Sequence, residues 1–142
     1  MKVVDLNVLL YAVNADAPEH QAARSWWEAA LNGDEQIGLA WAVLLGFVRL
    51  STRHGVLPRP LAVTDALAIV SDWLAQPVVT VLNPGDRHWE TLRGLLETVG
   101  TAGNLTTDAH LASLAMEYDA GLCSTDRDFA RFRSLTLVNP LD

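Results

Sequence analysis

The stretch Lys2-Val3-Val4-Asp5-Leu6-Asn7-Val8-Leu9-Leu10-Tyr11-Ala12-Val13 decides the fold class. Its apolar pair Val3-Val4 reads as a short buried strand, and Asp5 stands where the chain turns into an apolar helix over Leu6 to Val13. A strand without polar alternation suits a sheet covered on both faces. The same alternation continues outward. Glu19 to Leu31 has the spacing of an amphipathic helix with Trp26, Trp27, Ala30 and Leu31 on its apolar side, and Asn32 with Gly33 stops it. Ile37 to Leu39 follows as a strand. Trp41 to Thr52 is a helix expected to place Trp41, Leu44, Leu45 and Val48 on one face and Gly46, Arg49 and Arg53 on another.

Gly55, Pro58 and Pro60 break the chain, Thr64 and Asp65 start a helix to Ala75, and Val78 to Leu82 is a β-rich run. Gly85 and Asp86 open a helix toward Thr98. After the loop Gly100 to Asn104, Thr106 or Thr107 is expected to cap a helix through Tyr118. Gly121 to Ser124 is a strand, Asp126 to Phe132 a short helix, and Leu135 to Val138 a last strand. Short apolar strands alternating with helices predict an α/β fold of three layers, with a central parallel sheet between helices. Nothing reads as a linker or repeat, so residues 1–142 are expected to form a single domain.

Half of the 142 residues are hydrophobic, enough for a core without disulfide staples. The longest uncharged stretch, Gln36 to Val48, is shorter than the roughly 20 apolar residues that span a bilayer, so no membrane partner is expected. The start of the chain lacks the layout of a secretory signal, and the lone Cys123 sits in an apolar run. Both features point to a cytoplasmic protein with an inert thiol. A formal net charge of −7 argues against a protein that grips nucleic acid by bulk charge. Local arginine clusters remain, at Arg49, Arg53 and Arg59 and at Arg127, Arg131 and Arg133. With charged residues at only 19%, apolar surface is left to be covered, which points to a homodimer or a partner protein.

In an open parallel sheet, chemistry collects beyond the carboxyl ends of the strands. Asp5 follows the first strand, Asp126 and Asp128 follow the strand Gly121 to Ser124, and Asp108 lies in the first turn of the helix after the glycine loop. Singly, each is also a residue type that favours helix starts. Gathered at one edge, they repel one another unless a cation neutralises them, and the only lysine is Lys2. A hard ion, Mg²⁺ or Mn²⁺, takes oxygen ligands and completes its shell with water and phosphate oxygens, which suits phosphodiester hydrolysis. Asp5 and Asp108 are the expected direct ligands, Asp126 a ligand directly or through water, and Asp128 a support. No phosphate-cradling glycine loop, dinucleotide fingerprint or zinc-spaced cysteine pair is present. His20, His54, His88 and His110 are dispersed; His110 is about 200° round a helix from Asp108 and is expected to pack or face solvent.

Three blocks give the chain a family likeness. Asp5-Leu6-Asn7, Asn104 through Asp108 to Ala115, and Ser124-Thr125-Asp126-Arg127-Asp128-Phe129 resemble, in order and spacing, the motifs of PIN-domain ribonucleases and, within them, VapC-type toxins of bacterial toxin-antitoxin pairs. The resemblance implies a Mg²⁺-dependent endoribonuclease that inhibits translation and is neutralised by a VapB-type antitoxin. One position departs from the pattern. Where the family usually presents a glutamate on the helix matching Trp41 to Thr52, this chain has Gly46, with Arg49 and Arg53 beyond it as candidate contacts for RNA phosphates or an antitoxin carboxylate. Two alternatives stay open: a degenerate PIN module that binds antitoxin or RNA without efficient cleavage, and a haloacid-dehalogenase-like phosphatase. The second needs an Asp where Asn7 stands and a later lysine that the chain lacks.

Overall fold

The computed structural model describes residues 1–142. Strands β1 (Lys2–Val4), β2 (Ile37–Ala40), β3 (Val79–Leu82), β4 (Gly121–Cys123) and β5 (Leu137–Val138) form one sheet in the order β3-β2-β1-β4-β5. Every pairing is parallel, and Val3 of the central strand lies opposite Gly38 on one side and Leu122 on the other. Between the strands run α1 (Leu6–Val13), α2 (His20–Leu31), α3 (Trp41–Ser51), α4 (Val63–Leu74), α5 (His88–Val99), α6 (Leu105–Glu117) and a 3-10 helix, Arg127–Arg131.

Right-handed crossovers sort these helices. The chain steps from β1 to β2 to β3 in one direction, so α1 to α4 share a face; it then returns across the sheet to β4 through α5 and α6, which cover the other face. The helix contacts agree: α1 packs on α2 and α3, α3 on α4, α5 on α6, and α6 on the 3-10 helix. The expected three-layer α/β/α arrangement is therefore present. Its strand order reverses between β1 and β4, which opens a crevice at their carboxyl ends.

Packing fixes the layers. Val3, Val4, Ile37, Leu39 and Leu122 are fully buried in the sheet. On the α1–α4 side the Trp73 ring meets Trp27 edge-on at 5.7 Å and Phe47 at 4.7 Å, an aromatic knot joining α2, α3 and α4. Such pairs contribute about 0.5–1.5 kcal/mol each beyond their burial. That knot corrects the face expected for α3. With Val43, Leu44 and Phe47 turned inward, Trp41 is 49% exposed and Leu45 63% exposed, on a stripe that continues to Arg49. A helix apolar on nearly every side carries little phase information, and the tertiary contact of Phe47 sets it.

Element ends differ by a residue or two from the expectation. α6 starts at Leu105 without a side-chain cap, and the Thr106 hydroxyl instead donates to the Gly103 carbonyl at 2.8 Å. Asp126 caps a 3-10 helix rather than an α-helix, its carboxylate accepting from the Asp128 N–H. Gly100 ends α5 in the left-handed region at φ 84°, where a side chain would be strained.

Candidate active site

Asp5 is the N-cap of α1, directly after β1, and its Oδ1 accepts from the Leu6 N–H at 2.7 Å. Its Oδ2 accepts from the Ser124 hydroxyl at 2.7 Å. Ser124 follows β4 and is buried; its oxygen also accepts from the Asp126 N–H at 3.0 Å, and the Asn7 side-chain amide lies 3.5 Å away. One hydroxyl thus joins the two strand ends that flank the crevice. Asp126 Oδ1 in turn accepts from the Asp128 N–H at 2.9 Å.

Asp108 closes the group from the first turn of α6. Burial and then the charges of Asp126, Asp5 and Asp128 push its carboxyl up to about 6. Those three charges act on it because the topology brings all four acids to one place, as their positions after β1, after β4 and in α6 led one to expect. Asp5 is raised as well, chiefly by burial, against the opposing pull of its bonds to Ser124 and Leu6 and with a further push from Asp126. None of the four carboxylates takes part in an ion pair.

An acidic group with no cationic side chain of its own fits a hard divalent ion. The donor set is all oxygen, and the Asn7 Oδ1, buried beside it, has no hydrogen-bond partner. No three of the chain's His, Cys, Asp and Glu side chains stand close enough together to hold a metal ion unaided, so an ion bound among these acids would need further oxygens from water or substrate.

Gly46 lies on α3 against Leu6, the neighbour of Asp5. A Cβ at Gly46 would stand 2.8 Å from Leu6 Cδ2, so the Leu6 side chain fills the space a larger residue would enter. Arg49 and Arg53 are exposed, and their guanidinium groups form no ion pair. Cys123 is buried, and burial pushes its thiol up to about 11, in keeping with an inert core residue.

A second polar cluster escaped the sequence. His88 of α5 sits between Glu117 and His110 of α6, with Nδ1 2.7 Å from Glu117 Oε2 and Nε2 2.8 Å from His110 Nδ1. The other Glu117 oxygen accepts from the Gly85 N–H at 3.2 Å. Burial, and then His88, lower the His110 pKa. The expectation of a packing or solvent-facing histidine holds for His110, but its hydrogen-bond partner His88 lies 22 residues away, beyond any local spacing.

The fold is thus of an α/β class in which a doubly covered parallel sheet carries four acids at its switch point. Residues 2–135 match the PIN domain, and the chain belongs to that family. Ribonuclease VapC33 of Mycobacterium tuberculosis (strain ATCC 25618 / H37Rv) is 47% identical over 141 residues, 99% of each chain. VapC ribonuclease Mb2897 of Mycobacterium bovis is 45% identical over 142 residues, 100% of this chain and 97% of its own. The crystal structure of VapBC2 from Rickettsia felis, bound to a DNA fragment from their promoter, shares the fold with a TM-score of 0.69 at 18% identity, over 97% of each chain.

Proposed function

We propose that this protein is a Mg²⁺-dependent endoribonuclease and the toxin of a VapBC-type pair, with Mn²⁺ as an alternative ion. The observation that carries the reading is the four-carboxylate crevice, where burial first and then the charges of the other three acids raise Asp108, a cost that a bound cation relieves near neutral pH. The ribonuclease names of relatives at 47% and 45% identity over nearly the whole chain support the substrate class.

Asp5, Asp108 and Asp126 would hold the ion, which when bound would neutralise phosphoryl charge and make water a better nucleophile near neutral pH. Ser124 orients Asp5 and, through the Asp126 N–H, sets the direction of the neighbouring acid. Asp128, exposed at the rim, adds negative potential for the ion. A carboxylate of the group accepts the proton that the attacking water loses. Cleavage of RNA at this edge would inhibit translation, and a VapB-type antitoxin that covers the crevice would silence it. The exposed apolar side chains Trp41, Leu45, Val63 and Leu67 supply area for such a partner and for a homodimer.

Gly46 favours a second reading, a module that binds antitoxin or RNA and cleaves poorly. RNA cleavage with Mg²⁺, with Mn²⁺ and with chelator separates the two: ion-dependent cleavage abolished in Asp108→Asn supports the enzyme, and binding without cleavage under either ion supports the module.

A further inference from the structure

The nine arginines divide into two groups. Arg24, Arg59, Arg87 and Arg93 each lie within 2.9 Å of a carboxylate. Arg49, Arg53, Arg127, Arg131 and Arg133 pair with none, although the chain carries seventeen acids. Three of these five belong to the 3-10 helix and the residues just after it, beside the acidic crevice.

The surface around them is concave. A cavity of about 310 Å³ reaches from Ser124 and Asp126 past Arg127 to Ala130. A second, of about 540 Å³, begins at the same Ala130 and continues to Arg131 and Arg133, against Thr98 and Val99 at the end of α5. The two hollows share Ala130 on the 3-10 helix: Asp126 of the acidic group, Asp142 and Arg127 line the first, and the unpaired Arg131 and Arg133 line the second, so that together they outline a trough past the helix. Its far part offers no large apolar or aromatic pocket of the sort that anchors a protein partner. Guanidinium forks suit phosphate oxygens, and in a chain of net charge −7 such local cations are what draws an anionic strand inward.

We propose that this trough binds the RNA strand that flanks the scissile phosphate, with Arg127, Arg131 and Arg133 holding successive backbone phosphates. The inference rests on the ribonuclease reading for the class of ligand, but it concerns binding and is read separately from cleavage. Phosphate contacts of this kind fix the register of a strand without reading its bases. Recognition of sequence would lie elsewhere on the surface.

The probe is a single-stranded oligoribonucleotide long enough to fill the trough, bound to full-length Asp108→Asn protein over a series of KCl concentrations and followed by fluorescence anisotropy. Each single-strand phosphate contact adds about −0.7 to the slope of log K against log salt. Replacing both far arginines, Arg131→Gln with Arg133→Gln, is expected to flatten that slope by about 1.4. Both residues are exposed, so the melting temperature should hold. In the otherwise wild-type protein the same pair should raise KM for the long RNA and leave kcat unchanged. An unchanged slope in a folded double variant overturns the trough, as does loss of binding to an acidic peptide with RNA binding intact. Arginine-dependent binding by a protein that cleaves no RNA under any divalent ion would sink the nuclease reading and keep the trough. A protein that neither binds nor cleaves RNA overturns both.

Discussion

The Ser124 hydroxyl donates to Asp5 Oδ2 at 2.7 Å across 119 residues of sequence, and so couples the carboxyl ends of β1 and β4. Because Ser124 is buried, this bond is made in a medium where an unmet acceptor is costly. Ser124→Ala removes the donor from Asp5 and the acceptor from the Asp126 N–H together. The expected cost is about 1–3 kcal/mol of stability, read from urea melts. The Asp5 carboxyl should rise further, since the lost bond favours its charged form, and apparent Mg²⁺ affinity should fall. Unchanged Mg²⁺ dependence in Ser124→Ala would show that the serine does not position the site.

Asp5→Asn and Asp108→Asn keep the side-chain shape and lose the charge. Each is expected to reduce RNA cleavage by about 10²-fold or more, the scale of removing an essential electrostatic group, while circular dichroism stays native. Growth inhibition on expression should vanish with cleavage. Wild-type rates under Mg²⁺ in either variant would remove that carboxylate from the site.

The acidic crevice also gives stability a defined pH dependence. Asp108 has its folded pKa raised from 3.8 to about 6, so its contribution to stability is fully present below 3.8 and is lost as pH rises through about 6. Ion-free protein should therefore gain from this group on acidification from pH 7 toward pH 4. His110 acts oppositely: its lowered pKa removes stability as pH falls below 6.5. The difference between wild type and Asp108→Asn isolates the carboxylate. Solvent screening in the open crevice brings the expected effect to about 1 kcal/mol, with the variant the more stable at pH 7.5 and the gap closing near pH 4. Saturating Mg²⁺ should reverse the order at pH 7.5. Thermal melts of both proteins with and without the ion test each sign.

How much the sequence disclosed depended on range. Asp5 and Asp126 were legible because an acid between an apolar strand and a helix start is a local pattern. Asp108 was legible as well, from its place in the first turn of the helix after the glycine loop, and its approach to the other acids followed from the alternation that predicts a parallel sheet. The outward turn of Trp41 and Leu45 was hidden, because α3 is apolar on most sides and the Phe47–Trp73 contact chooses its phase. The His88–Glu117 pair was hidden for a similar reason: its members are 29 residues apart on two helices whose pairing is a tertiary event.

That pair makes its own prediction. His88 and Glu117 side chains are 14% and 15% exposed, and together with His110 they tie α5 to α6. His88→Ala strands a largely buried carboxylate oxygen and the His110 ring nitrogen, and is expected to cost about 2–3 kcal/mol. Glu117→Gln keeps an oxygen for the Gly85 N–H and should cost less. Equal destabilisation by the two changes in chemical melts would mean that packing rather than the hydrogen-bonded chain holds the helices.

The last prediction concerns Gly46, where two physical effects oppose each other. Gly46→Glu should gain about 0.8–1 kcal/mol of helix propensity by removing a glycine from α3. Against this, the new Cβ would stand 2.8 Å from Leu6 Cδ2, so the Leu6 methyl has to move. That methyl is the far end of a flexible side chain, and the displacement should cost about 1 kcal/mol or slightly more, as overpacking does. The single variant is therefore expected to melt near wild type, with its carboxylate entering the site only in part. Leu6→Ala combined with Gly46→Glu opens the space beside Asp5 and lets the carboxylate reach the acidic group, although deleting the leucine methyls lowers stability by about 2 kcal/mol or more. Calorimetric Mn²⁺ titration is expected to rank affinity as double variant above Gly46→Glu above wild type, with cleavage at low Mg²⁺ rising in the same order. Leu6→Ala alone controls for the cavity and should leave Mn²⁺ affinity unchanged. A folded double variant that binds Mn²⁺ no more tightly than wild type would show that the position of Gly46 serves close packing against Leu6 and not a vacated ligand.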